Sequence, residues 1–297
     1  MEINKILWAS DGSKESEIAL KYVELLASKF SSEIVGISVI QPIDIERLKV
    51  PSEVKKELFS IQASLEKKEY DRINKALKQL VLKNSKWHIS VETGTPYKEI
   101  LRLAEEEKVD LIAMGKRGLG LKDRILLGSN TNKVLRMSKV PVLAVRWKEG
   151  DKTDIKKILV ASDLSELTSI SLDFAAELAD RFNSKIFILH VLELHHTYEV
   201  STSRIIEELR ILALKELKSY SDKIPQEKTK GIKIQEMVTL YMRAWFGIIS
   251  FAEENNIDLI IITSHGRKGL ARFILGSTAE KVISESPCPV LAIKPHG

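Results

Sequence analysis

Two halves of this chain repeat each other in the same order, and that duplication constrains the fold more than any other feature. Lys5-Ile-Leu-Trp-Ala-Ser-Asp11 returns as Lys157-Ile-Leu-Val-Ala-Ser-Asp163, and Asp110-Leu-Ile112 returns as Asp258-Leu-Ile260. Leu127-Gly-Ser129 returns as Leu275-Gly-Ser277, and the halves close on Val140-Pro-Val-Leu-Ala144 and Cys288-Pro-Val-Leu-Ala292. Without a gap, ten of the twenty-five positions from Asp110 to Val134 match those from Asp258 to Val282, too many in one order for chance. A length of 297 residues suits two domains of ordinary size, each long enough to bury a core. The polar stretch Lys148-Glu-Gly-Asp-Lys-Thr-Asp154 reads as a connector. The chain therefore divides into domain 1 (1–147), a linker (148–155) and domain 2 (156–297).

Within each half, short apolar runs alternate with amphipathic stretches. Strands are predicted at Lys5–Ser10, Ile34–Ile40, His88–Glu92, Leu111–Met114 and Val140–Val145, with helices at Lys14–Phe30, Ser52–Leu82, Tyr97–Glu107 and Ser129–Arg136. Ile18, Tyr22, Leu25 and Leu26 share one face of the first helix at helical spacing. Strands spaced by helices predict βαβ units, an α/β fold and a mostly parallel sheet in each domain. Domain 2 repeats the order from Lys157 to Ile293.

Composition removes several function classes. The single cysteine, Cys288, rules out an internal disulfide, fits a reducing cytoplasm and reads as a buried structural thiol. No secretory signal is expected at the N-terminus, and no apolar run approaches the ~18–20 residues of a membrane span. The net charge of +5 is spread over mixed Lys/Glu helix faces, which argues against nucleic-acid partners. His190, Glu193, His195 and His196 cluster after the second strand of domain 2. Adjacent histidines at a strand exit seldom face one ion, so no transition-metal site is assigned.

Ligands of an open parallel sheet sit beyond the carboxyl ends of its strands, where the strand order reverses. Asp11 follows the first strand of domain 1. The fourth runs into Gly115-Lys-Arg-Gly118, and Gly128-Ser129-Asn-Thr131 opens the next helix. Glycines allow close approach of backbone to a phosphate, and a helix N-terminus adds free N–H groups and a favourable dipole. A carboxylate such as Asp11 suits a ribose hydroxyl or a phosphate-bound metal ion. Taken singly, each feature also has a local explanation: turn chemistry for the glycines, an N-cap for Gly128-Ser129, and capping of its own helix for Asp11.

Gly115-x2-Gly118-x9-Gly128-Ser129, preceded by an Ala-Ser-Asp strand end and followed by Pro-Val-Leu-Ala, resembles the universal stress protein family over essentially the whole chain, in its tandem two-domain form. The resemblance implies two doubly wound domains, each a five-stranded sheet in the order 3-2-1-4-5 with helices on both faces. In the ATP-binding branch of the family, the adenine and ribose lie near the strand-one aspartate and the end of strand two, and the glycine motif holds the phosphates. Carried onto this chain, the implied nucleotide-binding residues are Ala9, Asp11, Val39, Met114, Gly115, Gly118, Gly128, Ser129, Asn130 and Thr131. The implied ligand is ATP or another adenine nucleotide, with Mg²⁺ accompanying the phosphates and held mostly by phosphate and water. Pairing of the fifth strands, Val140–Val145 with Pro289–Ile293, would make an internal dimer within one chain, while assembly into a homo-oligomer is left open.

Domain 2 keeps Asp163, Val191, Gly266, Gly276, Ser277 and Thr278 as a weaker set, but Thr263 stands where domain 1 has Gly115. A β-branched residue tolerates positive φ poorly and projects a Cβ, expected to point toward the ligand. The turn Gly94-Thr-Pro96 has become Met242-Arg-Ala244, and Trp245 and Phe246 behind it read as core or as filling the space that the lost turn vacates. Domain 1 is therefore expected to carry the main site of a nucleotide-dependent binding or regulatory protein. One alternative is a slow ATPase or phosphotransferase. Lys116 and Arg117 could supply charge to it, but basic residues at such a place are expected to be solvated, and no Walker-type motif or acid/base pair is present. A second is an interaction protein whose sites are vestigial.

Overall fold

The computed structural model describes residues 2–42, 51–80, 86–116, 127–146, 153–193, 203–225, 231–264 and 275–294. In domain 1 the order is β1 (Lys5–Ala9), α1 (Lys14–Phe30), β2 (Glu33–Ile40), α2 (Ser52–Lys78), β3 (Trp87–Thr93), α3 (Pro96–Glu106), β4 (Leu111–Gly115), α4 (Ser129–Met137) and β5 (Val142–Val145). Domain 2 follows as β6 (Lys157–Ser162), α5 (Leu167–Phe182), β7 (Lys185–Glu193), α6 (Ser203–Ser221), β8 (Ile234–Tyr241), α7 (Ala244–Glu254), β9 (Leu259–Thr263), α8 (Ser277–Glu285) and β10 (Val290–Ile293).

The strands form one ten-stranded sheet in the order β3-β2-β1-β4-β5-β10-β9-β6-β7-β8. Each domain thus has the order 3-2-1-4-5 expected from the resemblance. Every neighbouring pair is parallel except one: β5 meets β10 antiparallel, with Val142 opposite Ala292 and Ala144 opposite Val290.

The inner strands are apolar on both faces because both faces are covered, whereas the edge strands β3 and β8 are mostly half-buried. Ile6 and Trp8 of β1 point into a core capped by α1, α2, α5 and α6, while Leu7 and Ala9 point into the opposite core under α3, α4, α7 and α8. Both cores run through the two domains without interruption. Fully burying one such side chain contributes about 1.5–3 kcal/mol, so dozens of them offset the chain entropy of ordering. The buried indole of Trp8 finds its partner by donating Nε1–H to the Ser16 carbonyl at 2.8 Å.

Equivalent devices hold both halves. Asp110 Oδ2 accepts from the backbone N–H groups of Asn4 and Lys5, and Asp258 Oδ2 does the same for Lys156 and Lys157, so these repeated aspartates fix where β1 and β6 begin. Ser31 and Asn183 close α1 and α5 in the left-handed conformation. Ile155, which the sequence assigns to the linker, is buried: its carbonyl accepts from Ser184 Oγ, as that of Ile3 does from Ser32 Oγ. Residues 148–152 of that linker lie outside the described residues.

Further contacts join the domains on each face of the sheet. On one, the Arg181 guanidinium stacks over Phe30 and donates to the Lys29 carbonyl. On the other, Glu280 accepts from Asn132 Nδ2 at 3.0 Å and from Arg136 Nη2 at 2.9 Å.

Candidate functional site

The strand order reverses between β1 and β4, since α1 leaves β1 toward one face of the sheet and α4 leaves β4 toward the other. At that point Ala9 and Met114 are register partners. Val39 sits on β2, two positions beyond Ile37, the partner of Ala9. Just past β1, Asp11 is exposed and its Oδ1 accepts from Ser13 N–H at 3.0 Å, forming an Asx turn. Capping of α1 falls to Ser13, whose Oγ accepts from Ser16 N–H at 3.2 Å. Gly12 between them has φ +78°.

Across the reversal, the N-terminus of α4 has no side-chain cap among the described residues. Gly128 is its N-cap residue and brings no side chain to occupy the first-turn N–H groups. Ser129 is exposed and Asn130 half-buried. Thr131 is buried instead, and its hydroxyl donates to the Gly115 carbonyl at 2.9 Å. That donor is spent on tying α4 to the end of β4, which leaves the exposed Ser129 and the half-buried Asn130 beside it. Gly118 and Arg117 lie outside the described residues.

Gly115 is required for a reason other than the one read from sequence. Its φ is not in the left-handed region, and a Cβ added there would meet the first turn of α1, 2.9 Å from Glu15 Cβ and 3.1 Å from Ser16 N. The glycine lets α1 approach β4. In domain 2, where Thr263 occupies this place, α5 starts at Leu167, the counterpart of Glu15 and one position later than Lys14.

Lys116 corrects a second expectation. It is 1% exposed, and its ammonium donates to Ser286 Oγ at 2.7 Å and to the carbonyls of Cys288 and Ser286 at 3.2 and 3.4 Å, all in domain 2. Nearby, Lys294 is also buried and donates to the Arg136 carbonyl in the last turn of α4. Burial, with Arg136 adding to it, pushes the Lys294 amine down to about 8. Cys288 is buried as expected.

Arg72, absent from the residues expected at the site, reaches the β1 end from α2. Its Nη1 donates to Ser10 Oγ at 2.9 Å, and its Nη2 lies 2.6 Å from Glu69 Oε2 and 3.4 Å from Ser38 Oγ. Burial pushes Glu69 up, but the bonds from Arg72 and Ser38 outweigh it and hold the carboxyl below its ordinary value. The i,i+3 spacing of Glu69 and Arg72 predicts the ion pair, whereas contact with Ser10 depends on packing between elements sixty residues apart.

Domain 2 builds the same frame with other chemistry. Gly276 repeats the N-cap conformation of Gly128 (φ −58°, ψ 142° against φ −58°, ψ 141°), and Gly276 N–H donates to the Ser264 carbonyl as Gly128 N–H does to that of Lys116. Ser277 is exposed and Thr278 half-buried, but Ala279 replaces Thr131 and has no hydroxyl for the strand end. Asp163 Oδ1 accepts from the backbone and side chain of Ser165. Where domain 1 has Gly12, Leu164 is held at φ +61°.

The arginine arrangement is replaced by His190, whose Nδ1 lies 2.9 Å from the Ser162 carbonyl, and by Tyr220, whose hydroxyl donates to the Leu164 carbonyl. Burial, and after it Glu216, pushes the Tyr220 hydroxyl up to about 12. Val191 is buried, with α7 against it at Gly247. Glu193 Oε1 accepts from the Ala244 N–H and so occupies the α7 N-terminus. Of the two aromatics, Trp245 is half-buried and packs against the core, while Phe246 is 51% exposed and stacks edge-on with Tyr241 and Trp245. Gly266, His195 and His196 lie outside the described residues. Among the described residues no three metal-ligating side chains converge, and no helix is long and apolar enough to cross a membrane.

The family model described as the universal stress protein family matches residues 2–146 and again 154–294. A universal stress protein of Methanocaldococcus jannaschii is 32% identical over 159 residues, which are 49% of this chain and 96% of that protein. One from Mycolicibacterium smegmatis is 23% identical over 302 residues, 98% of this chain and 97% of the relative. A crystal structure of a universal stress protein from Archaeoglobus fulgidus covers 100% of both chains with a TM-score of 0.71 at 24% identity, a likeness of fold.

Proposed function

This chain belongs to the universal stress protein family, and on that premise we propose that domain 1 binds ATP or another adenine nucleotide while domain 2 binds it weakly or not at all. The chain then acts as a nucleotide-dependent binding or regulatory module in a stress response. The observation that carries this reading is the N-terminus of α4, uncapped by any side chain among the described residues, at the β1/β4 reversal, with Asp11 just past the end of β1. Helix N-termini favour anions through unpaired N–H groups and the helix dipole.

Ser129, Asn130 and the first-turn amides would take the phosphates. Asp11, with one oxygen engaged by Ser13, suits a ribose hydroxyl or water on a phosphate-bound Mg²⁺. With no cluster of three metal-ligating side chains among the described residues, such an ion would be held by phosphate and water. Ala9, Val39 and Met114 offer the apolar ground for the base. In domain 2 the helix end is the same, but Thr263, Leu164 and the α7 cap of Glu193 alter its surroundings.

Burial of Lys116 favours binding over hydrolysis, because a charge held by domain 2 is withdrawn from any developing phosphoryl charge. The test is titration calorimetry of ATP into the full chain carrying Ser129→Asp or Ser277→Asp. A carboxylate at the α4 N-terminus should weaken ATP binding about a hundredfold or more, equivalent to about 3 kcal/mol, and the same change at α8 should do little. Two equal sites, or binding indifferent to Ser129→Asp, would refute the assignment.

A further inference from the structure

Lys116 is the point at which the two domains stop being equivalent. Its backbone spans the site of domain 1: the N–H donates to the Val145 carbonyl at 2.7 Å, and the carbonyl accepts from Gly128 N–H at 2.8 Å. The side chain runs the other way, into domain 2. There the ammonium meets three oxygens, matching its three hydrogens. Ser286 Oγ accepts from Lys116 and donates its own O–H to the Cys288 carbonyl at 2.6 Å, so the acceptors are themselves linked.

Ser286 closes the C-terminus of α8, where the helix dipole favours a cation. A buried ammonium is costly unless its hydrogen bonds are met, so the position of this nitrogen is tightly fixed. In the opposite direction the buried Lys294 of domain 2 reaches the Arg136 carbonyl at the far end of α4, but no lysine stands at the position equivalent to Lys116. Ser264 stands at the Lys116 position of domain 2, and Ser138, the counterpart of Ser286, bonds only locally with Val140.

We infer that Lys116 is a positioning residue through which domain 2 holds the phosphate-facing N-terminus of α4 in place, so that nucleotide affinity in domain 1 depends on Ser286 of domain 2. The inference deepens the proposed function and rests on it for the nucleotide alone; the mechanical part, Lys116 fixing Gly128, stands without it. Domain 2 is then a built-in support for the site of domain 1.

The test uses the full chain with Lys116→Met, which keeps the length and removes the donors, with Ser286→Ala, which removes one acceptor, and with both. Arg181→Ala serves as control, since it loosens the domain contact on the opposite face. Exchange of the Gly128 amide, followed by NMR, should quicken about tenfold or more in either variant, and ATP affinity should fall by a similar factor. The double variant should lose little more than either single one, and Arg181→Ala should change neither readout.

Unchanged exchange at Gly128 in folded Ser286→Ala overturns the strut. Faster exchange with unchanged ATP affinity overturns the positioning role. An equal response to Arg181→Ala overturns the specific path in favour of a general loosening. If the unmodified chain takes no ATP, the proposed function fails, and exchange still decides whether Lys116 holds Gly128. Should Lys116→Met fail to fold, Ser286→Ala alone carries the test.

Discussion

Gly115→Ala tests whether close approach of a helix, rather than backbone conformation or ligand contact, requires glycine at the end of β4. The new Cβ would lie 2.9 Å from Glu15 Cβ, and 3.1 Å from both the Glu15 carbonyl carbon and Ser16 N. Two of these are backbone atoms of the first turn of α1. That turn is held by the Ser13 cap and by the Trp8 indole bonded to the Ser16 carbonyl, so relief means moving α1 away from the sheet.

Overpacking of this kind costs about 1–3 kcal/mol. Loss of glycine entropy from the unfolded chain returns about 0.4–1 kcal/mol. The net expectation is a loss of about 1–2 kcal/mol in domain 1, and more for Gly115→Thr, although threonine favours strands. Unfolding of two joined domains need not be two-state, so the measurement needs a local probe. The Trp8 indole N–H resonance, followed through a urea titration, reports on the displaced turn itself. A stability change under about 0.5 kcal/mol with an unmoved Trp8 resonance would refute the reasoning.

Two more perturbations separate the forces at work. Gly12→Ala places a side chain at φ +78°, where Arg72 leaves ordinary room 3.5 Å away, so only backbone strain is added; a loss of about 1 kcal/mol is expected in denaturant unfolding. Lys294 has its folded value lowered to about 8 from an ordinary 10.5. Between those values the unfolded chain binds the proton and the folded chain does not, so its contribution to stability rises with pH through that window and is smallest below it. Denaturation at pH 7 and at pH 10 should show this rise in the unmodified chain and lose it in Lys294→Met, which should also be the more stable of the two at pH 7.

The fold was legible because its determinants are local and doubled. Apolar runs such as Lys5-Ile-Leu-Trp-Ala9 need both faces covered, and the spacing of Ile18, Tyr22 and Leu26 needs a helix, wherever the partners lie. The frame of the site was legible for the same reason: Asp11 and Gly128-Ser129 sit at strand and helix ends that the pattern itself defines. What could not be read depends on distant packing. Lys116 looked solvated because its acceptors are 170 and 172 residues away. Gly115 was credited with φ freedom because the nearness of α1 is not written in its neighbours. Ile155 passed for linker because seven polar or glycine residues precede it, yet its role copies that of Ile3. Phe246 looked like core by residue type alone, but the helix that carries it leaves it exposed against Tyr241 and Trp245.

The antiparallel join of β5 and β10 has a consequence for how such a chain can change. In an isologous dimer of identical subunits, every residue near the axis occurs twice, so a lysine reaching across would be matched by a second one reaching back. Here the two sides are encoded separately. Lys116 can cross to Ser286 while its counterpart stays Ser264, and a long side chain is admitted on one side without making room for its twin. Fusing the halves turns a surface that must complement itself into one that needs only to complement its neighbour, and each domain is free to specialise without spoiling the other.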